Sequence, residues 1–171
     1  MNQAHVHLIV NHLPIMGVVI GFLVLVTGYV LKNTTVKQTA LGIFALSAIG
    51  LLPAFLTGEG AEEVVEGIAG IDETFIEEHE DQAKIFTWSV GILGALSLLT
   101  FYLEWKAKSI SKTLYLVVFV LGLASIVTGR MAGNSGGEIR HTEIRSGAVL
   151  TPALEGNGGE KGGENEKEDK D

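Results

Sequence analysis

Apolar residues gather into four long runs separated by polar stretches, and this alternation predicts the elements of the chain. The runs cover residues 8 to 31, 39 to 57, 85 to 103 and 113 to 129, and the first holds no Lys, Arg, Asp or Glu. A hydrocarbon layer is about 30 Å thick and takes about 20 apolar residues to cross, as a helix that satisfies its own backbone. Each run is therefore read as a transmembrane helix. The expected fold is all-α, an integral membrane antiparallel four-helix bundle spanning residues 1–150. Residues 151–171 read as a disordered acidic tail, because from Gly156 onward no apolar residue is available to offset the entropy of ordering.

The polar stretches set the orientation. Lys32 and Lys37 lie between the first two runs, and Lys106, Lys108 and Lys112 between the last two, so antiparallel threading puts both groups on one side. Short basic loops are retained in the cytoplasm, which predicts a multi-pass protein of the cell inner membrane with both termini extracytoplasmic. No Lys or Arg precedes Lys32, so the first run lacks the basic start of a cleaved signal and reads as a retained span. The acidic stretch from Glu59 to Asp81 falls on the outer side, and Ala61, Val64, Val65 and Ile68 within it suggest a short helix lying on the membrane surface. Gly17 and Gly21, four residues apart, suit close helix packing.

Composition narrows the chemistry. The chain has 171 residues, 47% of them apolar, and a net charge of −8 with only 12 Lys and Arg, which sets nucleic acid aside. There is no Cys, which excludes thiolate nucleophiles, iron–sulfur clusters and covalently attached haem. No acidic residue falls inside an apolar run, so an ion pathway has no support, and no nucleophile elbow or phosphate-cradling glycine loop is present.

What remains is histidine. His5, His7 and His12 open the first helix, His79 opens the third and His141 follows the fourth, so all five meet at the extracytoplasmic end of the bundle. His5 and His12 share a face while His7 points away from both. With a regular helix His12 turns inward; if Pro14 instead sits in the first turn, His5 and His7 lie on a loop free to fold over the site. Thr74 and Glu77 fit a capping box for the third helix, whose buried stripe then carries Ile76, His79, Ala83, Phe86 and Val90.

Two imidazoles from facing helices hold haem b in such bundles, with His12 and His79 as the expected axial ligands, His141 as the alternate, and Arg130 or Arg140 for the propionates. The same cluster admits a single Zn, Cu or Fe ion bound by ligands such as His7, His12, His79 and His141, although no His-Glu-x-x-His motif occurs. In a third reading the chain is an accessory or structural subunit whose histidines only hydrogen-bond across the bundle end. The sequence favours electron transfer over independent enzymatic activity, and leaves homo-oligomerisation open.

At these residues the sequence resembles a bacterial family of four-helix membrane proteins of unassigned function. The likeness runs over about residues 5 to 145, through His7, His12 and Pro14, Thr57-Gly58 with Gly60-Ala61-Glu62, Glu78-His79-Glu80, and Gly136-Gly137 with Arg140-His141. Domains of that family are sometimes joined to cytochrome c modules and are similar in layout to membrane cytochromes that hold haem b between helices. The resemblance implies a redox setting and a cytochrome c-type or other redox partner on the extracytoplasmic side.

Overall fold

The computed structural model describes residues 1–68 and 71–145, so the tail expected at 151–171 lies outside the described residues. Helices α1 (Gln3–Val10), α2 (His12–Val30), α3 (Thr34–Glu66), α4 (Glu73–Trp105) and α5 (Ser111–Arg140) follow in order, and a 3-10 turn at Thr142–Ile144 closes the described chain. No strand occurs among the described residues. Taking α1 and α2 as one interrupted helix, the chain has four helices long and apolar enough to cross a membrane. At a rise of 1.5 Å per residue the 33 residues of α3 or α4 reach about 50 Å, well beyond a 30 Å hydrocarbon layer, so their ends project as polar rims.

The helices therefore outrun the apolar runs that announced them. The surface helix expected around residues 61–68 is instead the continuation of α3 to Glu66, whose small and apolar residues keep the helical period past the apolar run. Helix α4 starts ahead of the expected capping box: Asp72, not Thr74, is the N-cap, its carboxylate accepting from the Thr74 amide at 3.0 Å. The stripe expected around His79 is in place, with Ile76, Phe86 and Val90 buried and Glu77, Glu78 and Asp81 exposed.

The interior is small and partly polar, and the exterior large and apolar. Ser47, Ser97 and Ser125 are buried along with Gly94, Gly122 and Gly129, while Leu52, Phe55, Trp88 and Leu123 stand exposed. A water-soluble bundle would invert this arrangement; helices that meet through small residues and present bulky apolar side chains outward match lipid as the surrounding solvent. Phe44 is the largest fully buried side chain among the described residues and fills the space left by Gly21 on α2 and Gly122 on α5.

Both loops at the basic end turn in the same way. Lys32 and Ala107 have φ of 51° and 52°, and the amides of Asn33 and Lys108 reach back to the carbonyls of Gly28 and Leu103, which closes the last turns of α2 and α4. A side chain in this left-handed region is strained. Ala107→Gly is therefore expected to stabilise the protein by about 0.5–1 kcal/mol, read as a higher midpoint in a reversible unfolding titration in detergent.

Candidate functional site

The histidine-bearing end of the bundle is built by α1, the C-terminal half of α3, the start of α4 and the end of α5. Pro14 sits in the first turn of α2 and offers no amide to the Val10 carbonyl, so the helical ladder breaks at Asn11 while the backbone there stays helical, at φ −63° and ψ −28°. The residues ahead of the break form α1, capped by Asn2, and not the free loop that Pro14 allowed. Helix α1 packs against α3, and His7 faces it.

The hydrogen bonds of His7 fix its tautomer. Its Nδ1 lies 3.0 Å from the Ala54 carbonyl oxygen and 3.2 Å from Thr57 Oγ1. A carbonyl only accepts, and the Thr57 hydroxyl donates its own proton to the Pro53 carbonyl at 2.7 Å, so His7 Nδ1 carries the hydrogen. The lone pair is left on Nε2. Pro53 and Thr57 thus act through the α3 backbone to orient a side chain on α1.

His79 is arranged in the same way on the other pair of helices. Its Nδ1 lies 3.1 Å from Ser135 Oγ, a hydroxyl that lies equally far, 3.1 Å, from the Ala132 carbonyl; when that hydroxyl donates to Ala132 it accepts from the imidazole, which leaves the lone pair on Nε2. Gly136 provides the room, since a Cβ there would lie 2.9 Å from His79 Cε1. His79 precedes the apolar run that opens at Ile85. Burial, reinforced by His7 close by, holds its imidazole below the ordinary histidine value, which keeps it neutral and able to ligate.

Two further polar atoms belong to the same faces. Asn11, one turn after His7, and Gln82, one turn after His79, each bury a side-chain oxygen without a hydrogen-bond partner among the described residues. Buried amide oxygens are rarely left unpaired, so these mark the end of the bundle as a place where a guest group would find donors and acceptors waiting.

The remaining expected residues are not drawn in. His12 and His5 do share a face, but that face is exposed, and His7 is the one turned inward. His141 is exposed and pairs with Glu143 at 2.9 Å. Arg130 and Arg140 stand exposed on α5. No three His, Asp or Glu side chains converge on a common point among the described residues, so His7, His12, His79 and His141 do not form a joint ligand set. Arg145, which carried no expectation, closes the end of α5: its guanidinium donates to the Glu138 and Ile139 carbonyls at 2.7 and 3.1 Å and lies 3.9 Å above the Phe75 ring of α4.

No family model, curated protein or solved structure matches the chain. The chemistry must be argued from the geometry alone. Two imidazoles sit within electrostatic range of each other, each hydrogen-bonded through Nδ1 to its own helix pair and each with no hydrogen bond to Nε2 among the described residues. Holding the far ring nitrogen through a hydrogen bond is how proteins orient histidine ligands and raise their basicity.

Proposed function

We propose that the chain is an integral membrane protein that holds one haem b at the histidine-bearing end of the bundle, with His7 and His79 as axial ligands, and serves in electron transfer. The observation that carries this reading is the pair of imidazoles at one end of the bundle, each hydrogen-bonded through Nδ1 across a different helix pair, an arrangement that leaves Nε2 free to ligate when Nδ1 carries the proton. Haem asks the protein for two such nitrogens. A protein-only zinc, copper or iron site asks for three or four, and no such group converges among the described residues.

The residues fit the group by their donor chemistry. Imidazole pairs ligate haem iron, Asn11 and Gln82 would supply polar contacts to it, and Gly136 leaves room for the His79 ring. Bound haem supplies reversible one-electron chemistry. The protein fixes the ring orientations through Ala54, Thr57 and Ser135 and shields the site with α1. Arg130 and Arg140 remain available to propionates at the rim. The lysine-bearing loops argue for the cytoplasm at the opposite end, which puts the site on the extracytoplasmic side of the inner membrane, within reach of a cytochrome c-type partner.

The test is a pyridine haemochrome assay on protein purified in mild detergent from cells supplied with haem. One haem b per chain and a sharp reduced alpha band are expected. Well-folded protein with no haem absorbance sinks the reading.

A further inference from the structure

A second cluster lies at the opposite end of the bundle, where the α2–α3 and α4–α5 loops meet, and it does not depend on the haem reading. A cavity of about 300 Å³ is lined there by Tyr29, Thr34, Lys37, Glu104, Lys112 and Tyr115, with Ser111 at its base. We propose that this cavity binds a phosphate group, presented either by an anionic lipid headgroup or by a soluble phosphate.

The cationic side of the cavity is already in place. The Lys37 ammonium is held 4.7 Å from the Tyr115 ring centre and 5.6 Å from that of Tyr29, with no carboxylate within 4.0 Å among the described residues. Ring faces position a cation without neutralising it, so the charge is left for a ligand. Lys112 adds a second ammonium, and the hydroxyls of Thr34, Ser111 and Tyr29 line the same space as donors. Glu104, the one carboxylate in the lining, is turned to internal use: its Oε2 accepts from the Tyr115 hydroxyl and from Gln38 Nε2 at 3.2 Å.

Position on the bundle points to the same ligand. Helices α3 and α5 both begin here, so the positive ends of two helix dipoles face the cavity. Lys32, Lys106 and Lys108 lie in the same two loops, against the single carboxylate of Glu104 in the lining. Tyr29, Tyr102 and Trp105 are exposed around its rim, where amphipathic rings sit at headgroup height. Basic pockets between helices at this level receive lipid phosphates.

The experiment takes the full chain, delipidated in a non-ionic detergent, and titrates it with phosphatidylglycerol, with phosphatidylcholine of the same acyl chains, and with inorganic phosphate, reading bound adducts by native mass spectrometry. Phosphatidylglycerol is expected to bind about tenfold more tightly than phosphatidylcholine, a margin that falls away in Lys37→Met and shrinks about threefold in Lys112→Gln. Lys84→Gln, at the opposite end of the bundle, leaves it unchanged. Competition by millimolar inorganic phosphate that is lost in Lys37→Met assigns the site to a soluble phosphate; its absence assigns it to the lipid. Equal affinity for the two lipids with no binding of inorganic phosphate overturns the proposal. So does a preference that persists in the exposed Lys112→Gln variant and in Lys37→Met, with thermal melts of both matching the parent protein.

Discussion

Replacing His79 by alanine is expected to abolish haem binding, while His12→Ala keeps full occupancy. The contrast follows from where the two side chains stand. His79 is partly buried between α4 and α5 with Nδ1 engaged by Ser135, whereas His12 is exposed on the outer side of α2. His7→Ala is expected to match His79→Ala. Loss of either axial imidazole removes half of the protein's direct hold on the iron, and even second-shell changes around a metal weaken binding 10- to 100-fold, so a drop of more than about 100-fold is anticipated. Absorbance per mole of chain measures it, with circular dichroism to show that the helices persist.

The second large effect concerns the closest approach of two helices. Gly94 on α4 packs directly onto Ala48 of α3: a Cβ built at Gly94 collides with the Ala48 Cβ, and the Phe44 carbonyl lies 3.5 Å away. Ala48 has no flexible end that can swing aside, so the two backbones must separate. Gly94→Ala is expected to cost about 1–3 kcal/mol, the range for overpacking a filled interior, and Gly94→Leu to prevent the bundle from assembling. Gly91, one turn earlier, has open space around it, and Gly91→Ala is expected to be neutral or slightly stabilising through its better helix propensity. Equilibrium unfolding in mixed micelles separates the two. Equal effects at both positions would mean that α3 and α4 do not pack through Gly94.

Much of the bundle was legible in the sequence, because each span is far more apolar than any stretch between spans. The ends were harder to read. The apolar runs mark what lipid demands, but helices α3 and α4 continue through polar residues such as Glu62 and Glu77, where capping and packing decide the boundary and apolarity does not.

The candidate site was half legible. His79 lies on a stripe with Ile76, Phe86 and Val90, and spacing alone placed it correctly. Spacing also put His5 and His12 on one face and His7 on another, but the expectation that His12 turns inward picked the wrong face. A signal was available: Pro14, Val18, Gly21, Leu25 and Gly28 are the buried residues of α2, and stepping back by seven from Gly21 and Pro14 arrives at His7. Small residues at heptad spacing mark the packed side of a membrane helix, and His7 continues that line. Thr57, Ser135 and Arg145 were out of reach, since each acts through contacts between helices or between a loop and a helix end that no local pattern encodes.

Low-temperature electron paramagnetic resonance of the oxidised protein tests the central claim most directly. The account predicts a low-spin ferric haem with two imidazole ligands, converted to a high-spin signal or lost altogether in His7→Ala and unchanged in His12→Ala. A low-spin signal that survives in His7→Ala and disappears in His12→Ala would contradict it.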